Sequence, residues 1–312
     1  MAYMLTDIVP HIPLAQWTNS FVDWITNDFP QPFDFIKAVL GAFSDAIQNL
    51  LTGPPEIVIV AVLTLIAFYL AGWKVGLFTV VGLLVIVSLA LWDSAMITLS
   101  LVLAAAIVSL VIGIPVGVAA AKSSSLRTIT KPALDIMQTM PSFVYLIPMV
   151  ILLGLGNVPA LVATVIFAMP PAIRLTMLGI QQVPEETVEA AHAFGATPSQ
   201  TLVKVELPLA LPTIMAGVNQ VIMLSLSMVV IAALIGGGGL GSVVVTALSQ
   251  LDVGQGFVGG IGIVIIAMIL DRVTRNLRMR RVPQGARPRE VRNWVSSLLV
   301  NRGRRGQKSL EV

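Results

Sequence analysis

Cysteine is absent from the 312 residues, and charged residues are scarce. Without a thiol, the chain can form neither a disulfide nor a thiolate metal site. Charged residues make up 11% of the chain, compared with about 25% in a soluble domain. Hydrophobic residues make up 56%, and the mean hydropathy is +0.90. Most of the chain must therefore face lipid.

Seven segments are apolar and long enough to cross a bilayer, which takes about 20 mostly apolar residues. They lie at residues 55–72, 73–91, 95–121, 138–155, 158–180, 209–235 and 254–270. Turn-forming residues at Gly154–Pro159 separate the fourth and fifth spans as a hairpin. The stretch Gly236–Gly241 ends the sixth span and begins a loop or a short re-entrant piece. The sequence predicts an all-α membrane protein with about seven transmembrane helices.

Basic residues are concentrated at one end of the chain. Residues 271–312 contain 12 basic and 3 acidic residues, whereas residues 1–56 contain one basic and six acidic residues. Because Lys- and Arg-rich loops stay in the cytoplasm, we expect an external N-terminus and a cytoplasmic C-terminus in the cell (inner) membrane. The basic tail is then explained by topology and attraction to anionic lipid, and we expect no nucleic-acid partner.

Three regions follow from this organisation: an external segment, 1–54; a membrane domain, 55–280, with a cytoplasmic loop at 181–208; and a basic cytoplasmic tail, 281–312. Within the first region, apolar residues recur at helical spacing over residues 33–51 with polar residues between them. This pattern predicts an amphipathic helix, either lying on the outer membrane surface or packing on the bundle of spans.

The spans also lack the Asp, Glu and His relays that ion-coupled carriers keep inside the membrane. Apart from Glu56 and Lys74, each the second residue of a span, Arg174 is the only clear ionisable group within a predicted span, and both histidines, His11 and His192, lie outside the spans. No His-Glu-x-x-His, Gly-x-Ser-x-Gly or Gly-x-x-x-x-Gly-Lys-[Ser/Thr] motif occurs. A proton-coupled carrier and an intramembrane enzyme are disfavoured, and no metal or catalytic residue is expected. Any energy from ATP must come from a partner.

The loop between the fifth and sixth spans is the most polar stretch between membrane segments. Pro184 suits a first helical position, and Gly195 suits the left-handed residue that ends a helix. Thr197 and Gln200 have the spacing of a capping box that starts a second short helix, and Leu207-Pro208 is expected to stop it. The small residues of such a helix pair suit entry into a cleft on another protein, although they also suit a merely compact loop.

This loop resembles the EAA loop of bacterial ABC-importer permeases, which inserts into a groove of the ATPase subunit. The residues that the resemblance assigns to ATPase coupling are Glu189, Ala190, Ala191, Gly195, Ala196, Leu207 and Pro208. Flanking segments resemble the glycine betaine/proline betaine and choline permeases, and the resemblance extends from about Ile97 to Arg275. The segments that carry it are 138–148, 154–159, 169–174, 209–220 and 226–231.

The resemblance implies a type I ABC-importer permease fold and a homodimer of this chain. It also implies two copies of an ATPase subunit, which bind ATP and Mg, and an external substrate-binding protein; the chain itself is then not an enzyme and holds no cofactor. Phe143 and Tyr145 are candidates for lining the translocation path, with lipid-facing or packing roles as the alternative. Gly236, Gly239 and Gly241 are candidates for an outer gate, with a plain turn as the alternative.

Three functions stay open at this point. The first is import of glycine betaine, proline betaine or a related quaternary amine as an osmoprotectant. The second is an ABC importer for another small solute, such as an amino acid. The third, from a different class, is a channel or membrane scaffold that needs no ATP.

Overall fold

The fold was established from a computed structural model that describes the backbone of residues 13–281 and the side chains of residues 13–276. The chain divides into a unit of residues 1–278 and a second unit of residues 279–312. All of the helices lie in the first unit, apart from residues 279–281 at the end of the last helix. The first twelve residues and the predicted cytoplasmic tail, apart from Arg281, lie outside the described residues.

The described residues form fourteen α-helices and no strand. In chain order the helices are α1 Leu14–Asp28, α2 Pro30–Thr52, α3 Glu56–Ala71, α4 Trp73–Ser88, α5 Trp92–Lys122, α6 Ser124–Thr139, α7 Ser142–Leu153, α8 Asn157–Ala168, α9 Pro170–Gln181, α10 Glu185–Ala193, α11 Pro198–Thr201, α12 Leu207–Ala233, α13 Leu240–Gln250 and α14 Val253–Arg281. A π-helical turn, Leu202–Glu206, joins α11 to α12.

All seven predicted spans are helical, which confirms the all-α membrane architecture. Four helical rods in the described part of the chain are long and apolar enough to cross a membrane: α5, α8 with α9, α11 through α12, and α14. The number rises to six if α2 with α3, bent by 102°, and α6 with α7, bent by 98°, each count as one span. The sequence indicates about seven spans. The difference arises because α3 and α4 have 16 residues each and α7 has 12. Sixteen residues make about 24 Å of helix, which is less than the roughly 30 Å of a hydrocarbon core.

The predicted N-terminal amphipathic helix is present as α2. Ser44 and Leu51 are its buried residues, and the helix packs against α5, α7 and α8. The structure therefore shows the alternative in which this helix packs on the bundle of spans. It is preceded by α1, which has no buried residue and leaves Trp17, Phe21 and Trp24 exposed.

Helix α5 is the centre of the bundle, packing against α2, α8, α9 and α12. Glycines four residues apart permit its closest approach to α9. A Cβ atom at Gly113 would lie 2.8 Å from Cβ of Ala172, and one at Gly117 would lie 2.7 Å from Cβ of Thr176. Small residues at this spacing let two helices approach closely within a membrane, where van der Waals packing replaces the hydrophobic effect between helices. The α5–α9 contact thus holds α9, the helix that leads into the polar loop, against the centre of the bundle.

Candidate functional site

The polar loop between α9 and α12 forms the predicted pair of short helices, α10 and α11. The sequence suggests Pro184 as the first helical residue of α10, but Pro184 is the N-cap and the helix begins one position later, at Glu185. The reason is its extended ψ of 130°, while its carbonyl already accepts the N–H of Thr187 at 3.0 Å. Glu185 and Glu186 occupy the first turn, where negative charge is favourable next to the positive helix end.

Gly195 makes the bend between the two helices, as the sequence predicts. Its φ is +81°, a left-handed conformation that costs an L-residue with a side chain about 1–2 kcal/mol. The N–H of Gly195 donates to the carbonyl of His192 at 2.9 Å, and the N–H of Ala196 donates to the carbonyl of Ala191 at 3.0 Å. These two bonds form a Schellman motif, so glycine is required here by backbone geometry.

The predicted capping box at the start of α11 is present. Thr197 Oγ1 accepts the N–H of Gln200 at 3.3 Å, and Gln200 Oε1 accepts the N–H of Thr197 at 3.0 Å. The predicted stop at Leu207-Pro208 is wrong, because the helical rod continues from Pro198 to Ala233. Proline clashes with the carbonyl four residues earlier in an α-helix, but the wider π-helical turn immediately before Leu207 relieves this conflict.

The surface of this loop exposes an aromatic side chain that the sequence argument passed over. Phe194 is 94% exposed at the tip, directly before Gly195. Glu189 and Ala190 are also exposed, whereas Ala191 and Ala196 are half-buried. The signal was available in the sequence, since Phe194 is the one aromatic residue in the polar stretch 181–208.

Two ion pairs connect helices that lie far apart in the sequence, and neither was foreseen. Lys122 at the end of α5 pairs with Glu206 in the π-helical turn. Arg174 in α9 pairs with Asp135 in α6, so the one ionisable group expected inside a span has an acidic partner. No group of three or more potential metal ligands occurs among the residues for which side chains are described.

The glycine-rich stretch between α12 and α13 packs tightly at the opposite end of the bundle. Gly236 and Gly239 have φ values of +91° and +81°. Gly241 lacks a positive φ, but a Cβ atom there would lie 2.3 Å from a backbone carbonyl oxygen of α12. Thr98 Oγ1 in α5 accepts the first N–H of α13 at 2.8 Å. The N–H of Gly156 donates to the carbonyl of Ile235, two residues after the end of α12, at 2.9 Å. All three candidate glycines are thus needed by conformation or packing, and their gating role stays a prediction.

Phe143 and Tyr145 are the candidates for lining the translocation path, and their side chains lie in different environments. Phe143 is exposed and borders an apolar cavity of about 410 Å³ between α7 and the end of α12. Tyr145 is buried, and its hydroxyl donates to the carbonyl of Met137 in α6. This bond holds α7 to α6 across their bend. A path-lining role for either residue stays a prediction.

Comparison with known proteins identifies the class. Residues 113–281 match the family described as binding-protein-dependent transport system inner membrane component. The chain is 48% identical over 286 residues to the glycine betaine/proline betaine transport system permease protein ProW of Escherichia coli (strain K12), covering 92% of this chain and 79% of that protein. It is 50% identical over 271 residues to the glycine betaine/carnitine transport permease protein GbuB of Listeria monocytogenes, covering 86% and 96%.

The fold also matches that of a solved transporter. An inward-facing structure of the MetNI methionine ABC transporter superposes with a TM-score of 0.56 at 21% identity, covering 60% of this chain and 94% of the matched chain. The sequence relatives confirm the resemblance noted in the sequence, and the structural match confirms the type I importer permease fold. The chain belongs to the family of inner-membrane components of binding-protein-dependent transport systems. It is a multi-pass inner-membrane permease, and thus a transport component.

Proposed function

We propose that the chain is the transmembrane permease subunit of an ATP-driven importer for glycine betaine, proline betaine or a related quaternary amine. Support comes from identities of 48% and 50% to permeases named for glycine betaine transport, spread over most of the chain. ATP and Mg are bound by a separate ATPase subunit present in two copies. An external binding protein delivers the substrate, and two copies of this chain form the path.

The observation that carries the mechanism is the continuity between the polar loop and a span. The helix pair α10 and α11 presents Phe194 at its tip, and α11 runs through the π-helical turn into α12 without a break. A force applied to the pair by ATPase closure is transmitted along α12, since the interruption is a change of helix type and not a flexible linker. The rods then rock between inward-facing and outward-facing arrangements.

In this mechanism the residues of the EAA-like sequence form the docking surface. Glu189 and Ala190 are exposed on α10, while the Schellman bend at Gly195 keeps the pair narrow. Leu207 and Pro208 are the first residues of α12 and transmit the movement of the helix pair to this span. The loop therefore lies in the cytoplasm, the N-terminus is external, and the C-terminus is cytoplasmic.

Uptake by the reconstituted complex tests the proposal. The permease, its ATPase and its binding protein are placed in vesicles, and uptake of labelled glycine betaine is measured with ATP inside. Unlabelled proline betaine, choline, carnitine and proline then compete. We expect ATP-dependent uptake that quaternary amines inhibit more strongly than proline.

Two results would contradict it. Uptake that is inhibited only by an ordinary amino acid would assign the chain to an importer for another small solute. Uptake that continues unchanged without ATP would favour an ATP-independent channel. As a control, matched vesicles containing a non-hydrolysable ATP analogue show the effect of nucleotide binding without hydrolysis.

A further inference from the structure

A buried carboxylate lies at the junction between the polar helix pair and the span that follows it. Lys122 Nζ donates to Glu206 Oε1 at 2.6 Å and also contacts Oε2. The Glu206 side chain is 5% exposed, whereas the Lys122 side chain is 45% exposed. The two residues are 84 positions apart in sequence. A buried charge is strongly unfavourable without a partner, so the position of Glu206 depends on Lys122.

Glu206 is the last residue of the π-helical turn. Such a turn inserts one residue into an α-helix, which rotates the segment before it by about 100° relative to the segment after it. The turn therefore sets the rotational orientation of α11 relative to α12. Isolated π-helical turns are uncommon and often occur at functional sites.

The other partner lies on a fixed helix end. Lys122 is the last residue of α5, where a cation is favourable. Arg127 donates from Nη2 to the carbonyl of Ala121 at 2.7 Å and from Nε to the carbonyl of Ala120 at 3.3 Å. These bonds satisfy carbonyls that the helix end leaves without partners. These hydrogen bonds cap the end of α5 and so hold the backbone of Lys122 in place.

Between the helix pair and the end of α5 lies a cavity of about 370 Å³, bordered by Val188 and His192 of α10 as well as by Lys122 and Glu206. Beside it, Leu202 contributes to an apolar cluster that includes Ala120 and Ala121 of α5. Apolar contact is non-directional and allows the π-helical turn to shift against α5. The ion pair, in contrast, fixes the position of the turn relative to the end of α5. Of the three ion pairs in the part of the chain with described side chains, only this one has a carboxylate that is nearly fully buried.

We propose that Lys122 and Glu206 are positioning residues for transport, forming a latch that holds the π-helical turn to the end of α5. Through this latch, displacement of the polar helix pair moves α5 together with α12. When the latch is lost, the polar helix pair can still dock on the ATPase, but α12 can then rotate without moving α5. ATP is therefore hydrolysed without transport. This proposal rests on the proposed function as an ATP-driven permease.

The test is a double-mutant cycle in the complete reconstituted complex. Glu206→Gln and Lys122→Met each remove one charge, and the double variant removes both without leaving an unpaired charge. Substrate molecules moved per ATP hydrolysed are measured with glycine betaine, together with ATPase activity in the absence of substrate and the yield of assembled complex.

We expect each single variant to assemble and to lower the transport-to-ATP ratio by about fivefold or more, the lower range of a coupling free energy. The double variant should lose no more than the singles, because the residues act as a unit. Lys122→Arg, which keeps the charge, should retain most of the ratio. Arg275→Gln, which breaks an exposed i,i+4 pair with Asp271, is the matched control and should have no effect.

Several outcomes would overturn the latch. An unchanged ratio in both single variants would do so, as would losses that add in the double variant. A lower yield of complex with a normal ratio in the complex that assembles would show a merely structural pair. If wild-type complex hydrolyses ATP but does not take up glycine betaine, the proposed substrate is wrong. Substrate-independent ATPase activity then tests the latch separately, because the single variants should raise it and the control should not.

Discussion

Substitutions of Gly195 can distinguish two effects of a side chain at the bend: the conformational cost of the left-handed backbone, and a steric and electrostatic conflict with the proposed ATPase docking site. Gly195 has a φ of +81°, and among residues 13–276 no atom outside Gly195 and its two chain neighbours lies within 4 Å of the position that a Cβ atom would take. A side chain here therefore meets open space within the subunit. Its cost in the isolated permease is the cost of the left-handed backbone alone.

That backbone cost is about 1–2 kcal/mol for alanine and smaller for asparagine, which tolerates the left-handed region. Arginine pays a similar backbone cost to alanine. In the complex, a guanidinium buried at the docking surface without a partner adds several kcal/mol, and every 1.4 kcal/mol weakens binding about tenfold. We therefore expect Gly195→Arg to bind the ATPase on the order of 100-fold more weakly than Gly195→Ala.

The measurement is the affinity of purified permease variants for the ATPase subunit, together with thermal unfolding of the permease alone and uptake by the complex. Alanine and arginine should lower permease stability equally, asparagine should be nearly neutral, and only arginine should abolish co-purification and uptake. The reasoning is refuted if Gly195→Arg co-purifies the ATPase at wild-type yield with normal uptake. Equal losses of affinity for alanine and arginine would assign the whole effect to the backbone.

Three further predictions follow from packing, hydrogen bonding and topology. Gly117→Ala, which places a methyl group 2.7 Å from Cβ of Thr176, should destabilise the permease by about 1–3 kcal/mol in denaturant unfolding; unaltered stability would contradict the close α5–α9 contact. Thr98→Val removes the hydroxyl that accepts the first N–H of α13 and should lower the free energy of unfolding by about 1–3 kcal/mol. Thr98→Ser keeps a hydroxyl at this position and should retain most of the wild-type stability. Because the chain has no cysteine, Leu251→Cys and Phe194→Cys, both at exposed positions, report topology with a membrane-impermeant maleimide. In intact cells Leu251→Cys should be labelled and Phe194→Cys should not, and the reverse pattern would overturn the proposed orientation.

Most of the helices and the form of the polar loop follow from chemistry that is local in the sequence. The turn at Gly195 depends on hydrogen bonds that span three and five residues, and the capping box at Thr197 spans three. Such interactions are visible in a short window, because both partners lie within it. The long apolar stretches are equally local, since the bilayer thickness sets their length.

The sequence misled at one local feature and left open one choice that contacts between distant helices decide. Pro208 suggested a helix end by its own chemistry, yet the π-helical turn before it keeps the rod continuous. The amphipathic pattern of α2 suited a membrane surface and the bundle equally well, and the choice was made by the complementary surfaces of α5 and α8. One helix cannot reveal which neighbour will cover its apolar face.

Hydropathy, capping and turn chemistry act over a few residues, so the order of residues is enough to specify a helical membrane protein with a polar, glycine-bent helix pair. Only the tertiary structure brought Lys122 to Glu206 and Arg174 to Asp135, 84 and 39 positions apart. In the sequence these charges mark the ends of spans and carry no sign of their partners. Pairing is decided by where the packed helices end, and that position is a property of the whole bundle.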